Sequence, residues 1–335
     1  LGLAVSLYNY VNVEESDRVE IVSLDHIAVP TDRSNLIYAS AETLYQHCGK
    51  TLKGLCIEQI NHIPLTRGLG SSSACIIAGL TSANELLGRP LNVDDMVNLA
   101  AQLEGHPDNT TPALLGGIVT SVFDGASVHY VRQEVDSTLH FYAIIPDFEL
   151  KTEVARGCLP KEIPHKNAVF NLSRAALFSS SLLTGKYENL KIAVEDCLHQ
   201  PYRIPLIAHA EDVFAAAYRN HAYAVYISGA GPTIMAIVDN SNFLFEKNMR
   251  EYLDSEGLET WLIENLTIDN DENFSFNFCS ISRILSGLHM QRIFPTSALS
   301  DSISIVPAIA FAWTIFSSRT MRGSLLSFTI HVSFE

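Results

Sequence analysis

The chain has 335 residues, 47% hydrophobic and 18% charged, which suits one large or two medium globular domains around a sizeable core. Acidic residues outnumber basic ones 37 to 22, a net charge of −15, which argues against nucleic acid as a partner but not against a small anion held in a local cradle. The six cysteines (Cys48, Cys56, Cys75, Cys158, Cys197 and Cys279) form no C-x-x-C pair, so no zinc or redox motif is expected, and scattered thiols fit a reducing, cytoplasmic setting. No secretory leader is expected from these first residues, and Leu1 opens the chain inside an apolar run, as if an N-terminal segment were missing.

Leu3, Val5, Leu7, Val11 and Val13 alternate with smaller or polar residues and predict a first strand. Residues 19–24 predict a second. Residues 32–49 predict a helix, with Leu36, Ile37, Ala41, Leu44 and Tyr45 as its apolar stripe and Gly49 at its end. Asn35, at the start of that helix, suits a cap. Residues 53–64 predict a further strand, ended by Pro64. Strands, helix, strand and then another helix give an α+β arrangement.

The stretch PLTRGLGSSSA, residues 64–74, opens directly into a helix whose apolar residues Ile76, Ile77, Leu80, Ala83 and Leu87 recur at threes and fours. Glycines let backbone N–H groups approach a ligand closely, and the first turn of a helix has unpaired N–H groups and the positive end of the dipole. Together they make an anion cradle, with phosphate the usual guest, and the three serines could add hydrogen bonds or oxygen ligands to a magnesium ion. A Gly/Ser turn before an ordinary capped helix is the bland alternative. Neither G-x-x-x-x-G-K-[ST] nor G-x-G-x-x-G is present.

Downstream, Asn92 or Asp94 can cap a helix running to Glu104, and Glu104 leads into the loop Gly105-His106-Pro107-Asp108-Asn109. Pro107 and Pro112 prevent a continuous helix, and Gly116 and Gly117 lead into the strand IVTSVF. The loop is dense in reactive side chains, although Asp and Asn also stabilise turns. A buried strand FYAIIP precedes Lys151, Thr152 and Arg156, where Thr152 can cap the helix TEVARGCL. A long helix covers NAVFNLSRAALFSSSLL, and Pro201-Tyr202-Arg203 follows it. AVYISGAGPTIMAIV, residues 224–238, reads as strand, glycine turn, strand.

The string P-x-x-R-G-L-G-S-S-S-A resembles the second motif of the GHMP kinases, and S-G-A-G-P-T resembles their third. E-G-H-P-D-N-x-x-P-A-x-x-G-G, K-T-x-x-A-R and P-Y-R resemble the homoserine kinase branch of that superfamily. The resemblance covers roughly residues 1–271. It implies the GHMP kinase fold, a ribosomal protein S5 domain 2-like N-terminal domain (residues 1–135) plus a ferredoxin-like C-terminal domain (136–271). It implies ATP with Mg2+ and transfer of a phosphoryl group to the hydroxyl of L-homoserine, on the route to threonine. Pro64, Arg67, Gly68, Leu69, Gly70, Ser71, Ser72, Ser73 and Ala74 are implied to hold the nucleotide, with Asn35 bordering adenine. Ser72 and Glu104 are implied to ligate magnesium, Arg156 and Arg203 to bind the substrate carboxylate, and Thr152 to lie near the reacting groups. His106 is expected to be structural.

Such kinases often dimerise, and no membrane partner is expected. The first motif of the family, P-x-x-x-N-L-G-x-G-F-D, is not in this sequence. A mevalonate- or galactose-type kinase and an inactive fragment are the alternatives. Residues 272–335 fall outside the resemblance, and their composition suggests an unassigned tail of non-native sequence or an extension. Its apolar run SIVPAIAFAWTIF is too short to span a bilayer comfortably.

Overall fold

The computed structural model describes residues 1–135, 138–271 and 326–334. The chain is built on two sheets. In the first, β1 (Gly2–Ser16) is central, and Leu3, Val5, Leu7, Val11 and Val13 are all buried, the pattern its alternation predicts. β2 (Glu20–Ser23), α1 (Leu36–His47) and β3 (Gly54–Asn61) follow. β2 and β3 pair in parallel, which requires a crossover connection, and α1 supplies it. α2 (Ser71–Leu86), α3 (Val93–Glu104) and α4 (Thr110–Leu115) then cover the sheet, and β4 (Ile118–Phe123) and β5 (Val128–Gln133) complete it as a hairpin. The strand order is β2-β3-β1-β4-β5.

The helix ends obey the chemistry of their residues. The Asn35 side chain accepts from the backbone N–H groups of Ile37 and Tyr38 and caps α1. Asn92 rather than Asp94 caps α3, in a reciprocal capping box with Asp95. Pro112 sits in the first turn of α4, where its missing N–H is no loss.

The second sheet begins with β6 (Leu139–Ile145). α5 (Thr152–Gly157), α6 (His165–Thr184), α7 (Leu190–Ala193), α8 (Gln200–Arg203) and α9 (Ala210–Arg219) separate it from β7 (Ala224–Ile227) and β8 (Ile234–Asp239). α10 (Phe245–Ser255) and β9 (Leu262–Leu266) follow, and the order β7-β8-β6-β9 is the ferredoxin-like arrangement, all pairs antiparallel. The cap that Thr152 could have supplied is not made. Lys151 holds the extended N-cap backbone, φ −63° and ψ 133°, while Thr152 is already helical and its side chain makes no capping bond. α5 also ends at Gly157, short of the predicted Cys158 and Leu159.

One core fills the space between the first sheet and its helices and continues onto one face of the second sheet; another packs α9 and α10 on that sheet's other face. Each fully buried Leu or Ile contributes about 1.5–3 kcal/mol relative to leaving it exposed. After β9 the chain returns to the first sheet. Ser6 N–H donates to Thr267 O (2.9 Å), Asp269 N–H to Ala4 O (3.0 Å), and Tyr8 Oη to Asp269 Oδ2 (2.8 Å). β10 (Leu326–Phe334) pairs antiparallel with β1; the rest of the expected tail, including SIVPAIAFAWTIF, lies outside the described residues. Among the described residues no helix is long and apolar enough to cross a membrane.

Candidate active site

The glycine stretch forms the floor of a cleft that Glu104, Arg156 and Arg203 also line. Gly70 is the N-cap of α2 with φ 70°, and Gly68 has φ 72°, a left-handed conformation that glycine adopts without penalty. Between them Leu69 is buried and anchors the loop in the core. This geometry leaves the first N–H groups of α2 at the cleft. Ser73 is 1% exposed, and the enclosed hydroxyls of Ser71 and Ser73 have no hydrogen-bond partner among the described residues. An enclosed hydroxyl without a partner is costly, and a ligand rich in acceptor oxygens would satisfy both.

Ser72 is exposed, and its Oγ donates to Glu104 Oε2 at 3.2 Å. The two arrive from different elements, Ser72 from the first turn of α2 and Glu104 from the last residue of α3. A carboxylate and a hydroxyl side by side suit a hard cation that takes its remaining oxygens from phosphates and water. Among the described residues no group of three or more His, Cys, Asp or Glu side chains stands ready for a metal, so a cation here would depend on its phosphate partner.

The opposite wall is basic. Arg156 Nη2 donates to His106 Nε2 at 3.0 Å. Arg203, 7% exposed, donates from Nε to Ala155 O (3.3 Å) and from Nη1 to Gly229 O (2.8 Å). Its guanidinium is thereby fixed in one orientation, which favours bidentate recognition of a carboxylate. Gly229 and Ala230, from the turn after β7, close this side.

Of the residues singled out in the sequence, Pro64, Arg67, Gly68, Leu69, Gly70, Ser71, Ser72, Ser73, Glu104, Thr152, Arg156 and Arg203 line this one cleft. Asn35 and Ala74 do not. Asn35 is 3% exposed, and beyond its capping role its amide donates to Pro30 O and to Gln59 Oε1. Ala74 is fully buried within α2. His106 and Asn109 line the cleft without having been assigned to it, and the dense loop Glu104–Asn109 was the signal for them.

A glycine loop at a helix N-terminus facing two arginines across a cleft, on an α+β sheet joined to a ferredoxin-like sheet, suits a small-molecule kinase. Comparison with known proteins agrees. The GHMP kinases N terminal domain family matches residues 35–117, and the GHMP kinases C terminal family matches residues 178–253. The homoserine kinase of Caldicellulosiruptor bescii is 43% identical over 285 residues, 84% of this chain and 93% of that protein. The homoserine kinase of Clostridium beijerinckii is 43% identical over 274 residues, 81% of this chain and 90% of that protein. Among solved structures, a homoserine kinase from Cytophaga hutchinsonii superimposes with a TM-score of 0.70 at 25% identity, covering 81% of this chain and 96% of that one. A mevalonate kinase shares the fold at 15% identity, with a TM-score of 0.58 over 80% of this chain and 92% of its own. The chain belongs to the GHMP kinases and, within them, to the homoserine kinase family.

Proposed function

We propose that this chain transfers the γ-phosphoryl group of ATP to the side-chain hydroxyl of L-homoserine, giving O-phospho-L-homoserine and ADP. One observation carries the reading: the N-terminus of α2 and two arginines, Arg156 and Arg203, line the same cleft. In this assignment the N–H groups of the Gly68–Ser73 loop take the phosphate oxygens, with the Ser71 and Ser73 hydroxyls adding bonds. Pro64 lines the nucleotide side, and Asn35 and Ala74 support it from behind, Asn35 by fixing the start of α1. Glu104 and Ser72 would hold Mg2+, which when bound neutralises charge on the phosphates. Arg156 and Arg203 take the substrate carboxylate, which leaves its hydroxyl end toward the loop and Thr152.

The bond from the γ-phosphorus to the bridging oxygen breaks, the bond to the substrate hydroxyl oxygen forms, and the hydroxyl proton leaves to solvent. Such transfers have loose transition states with little covalent work for the protein, so positioning and charge stabilisation dominate. Glu104 is the one acidic side chain lining the cleft among the described residues, and its place beside Ser72 suits cation binding rather than proton abstraction.

The test is ATP consumption with Mg2+ and L-homoserine, with mevalonate and galactose in parallel. Turnover with homoserine alone is expected. Turnover with mevalonate or galactose in its place would overturn the acceptor, and none with any of the three would overturn the activity.

A further inference from the structure

We propose that Arg67 is a positioning residue. It rivets the phosphate loop to the chain leaving β6, and so sets the loop amides without itself gripping the nucleotide. This deepens the kinase reading of the cleft and rests on it. By its charge and place in the glycine stretch, Arg67 suits a phosphate ligand. Its contacts point elsewhere. Nε donates to Pro146 O and Nη2 to Asp147 O, each at 3.1 Å, so the planar fork spans two successive carbonyls from the second sheet. Nη1 lies 3.4 Å from Leu65 O, back on its own loop, and 3.9 Å from the Glu149 carboxylate. The side chain is only 14% exposed.

The backbone around it is held the same way. Leu150 N–H donates to Thr66 O at 3.4 Å, and Thr233 N–H donates to Arg67 O at 3.3 Å. A rivet is needed because this loop does not hold itself. Thr66, Gly68 and Gly70 all have positive φ, at 54°, 72° and 70°. For Thr66 that conformation is strained, because a β-branched side chain clashes with its own backbone there. Strain of this kind persists only where surrounding bonds over-determine it. The Leu150 N–H, on the Thr66 carbonyl itself, and the guanidinium of the next residue are those bonds. A lysine supplies a point charge but cannot bridge two carbonyls with a rigid fork.

Arg67→Lys and Arg67→Ala in the full chain separate the two roles. If the arginine positions the loop, both variants raise the KM for ATP by about tenfold or more, while the KM for homoserine stays within about twofold. Added guanidinium at low concentration restores the Ala variant. In the nucleotide-free protein, hydrogen exchange of amides in residues 64–73 and at Leu150 accelerates in both variants, with α10 and β8 unchanged. Wild-type KM for ATP in Arg67→Lys together with its loss in Arg67→Ala would assign the charge to the phosphates and overturn the proposal. Unchanged exchange at Leu150 would overturn it as well. The exchange arm needs no substrate, so a wild-type chain inactive on homoserine would sink the kinase reading and leave the rivet to be judged separately.

Discussion

Ser72 and Glu104 meet at 3.2 Å although one lies in the first turn of α2 and the other ends α3. Replacing Glu104 by Gln keeps shape and hydrogen bonding but removes the charge. We expect kcat/KM to fall by about 10²–10³-fold, the loss typical of one removed electrostatic stabiliser. A Mg2+ titration checks it: the variant should need more Mg2+ for half-maximal rate, whereas Ser72→Ala should show the same shift in weaker form. Across the cleft, Arg156 is exposed and its one described side-chain partner is His106 Nε2. That bond steers a long side chain which otherwise samples many rotamers. His106→Ala should therefore raise the KM for homoserine several-fold, within about 1–2 kcal/mol of binding energy, and leave the KM for ATP unchanged. Steady-state kinetics with each substrate varied in turn decides it, and an equal rise in both KM values would refute the steering role.

At the scale of elements, Arg203 depends on α8, a helix of four residues that is too short to stand alone. Asp196 holds it. Its Oδ2 accepts from the N–H groups of His199 (2.7 Å) and Gln200 (2.6 Å), and Asn171 bonds its other oxygen. Burial pushes the Asp196 carboxyl up, but the Asn171 bond, the charge of His199 and the two amides outweigh it and hold it below its ordinary 3.8. A depressed carboxyl stabilises the fold above the unfolded-state value and loses that contribution as pH falls through the folded one. Asp196→Asn should cost about 1–3 kcal/mol at neutral pH, with the gap to wild type closing below about pH 4. Denaturant unfolding across pH checks it, and a gap that persists in acid would count against the assignment.

The same elements show what a sequence can carry. Asn35, Asn92 and the glycine stretch were legible because capping and positive φ are properties of one residue in its local frame. Thr152 misled because Lys151, with no capping side chain, took the extended position instead. The partners of Arg67 were illegible, since they are backbone carbonyls 79 and 80 residues away and carry no side-chain signature. His106 read as a structural residue of a dense loop, because its partner Arg156 lies 50 residues on and is brought near only by folding.

On the scale of the whole molecule, the loop belongs to the first sheet and its clasp to the second. Ser228 Oγ donates to Gly68 O at 2.7 Å, and the Gly68 Cα backs directly onto the turn after β7. A Cβ on Gly68 would stand 2.4 Å from Ser228 O and 2.8 Å from Gly231 O, backbone atoms that cannot swing aside. Gly68→Ala therefore adds left-handed strain and forces the two halves of the cleft apart. Gly88→Ala is the matched control, with φ 81° and nothing within 4 Å of its Cβ. The control should lose about 1 kcal/mol, the strain alone. Gly68→Ala should lose about 2–4 kcal/mol and most of its activity, because strain and steric separation combine. Urea unfolding midpoints with ATP turnover on the same samples provide the comparison. Equal losses in the two variants would mean that the halves of the cleft tolerate separation, and the close approach at Gly68 would then not be what holds the phosphate loop against the arginine wall.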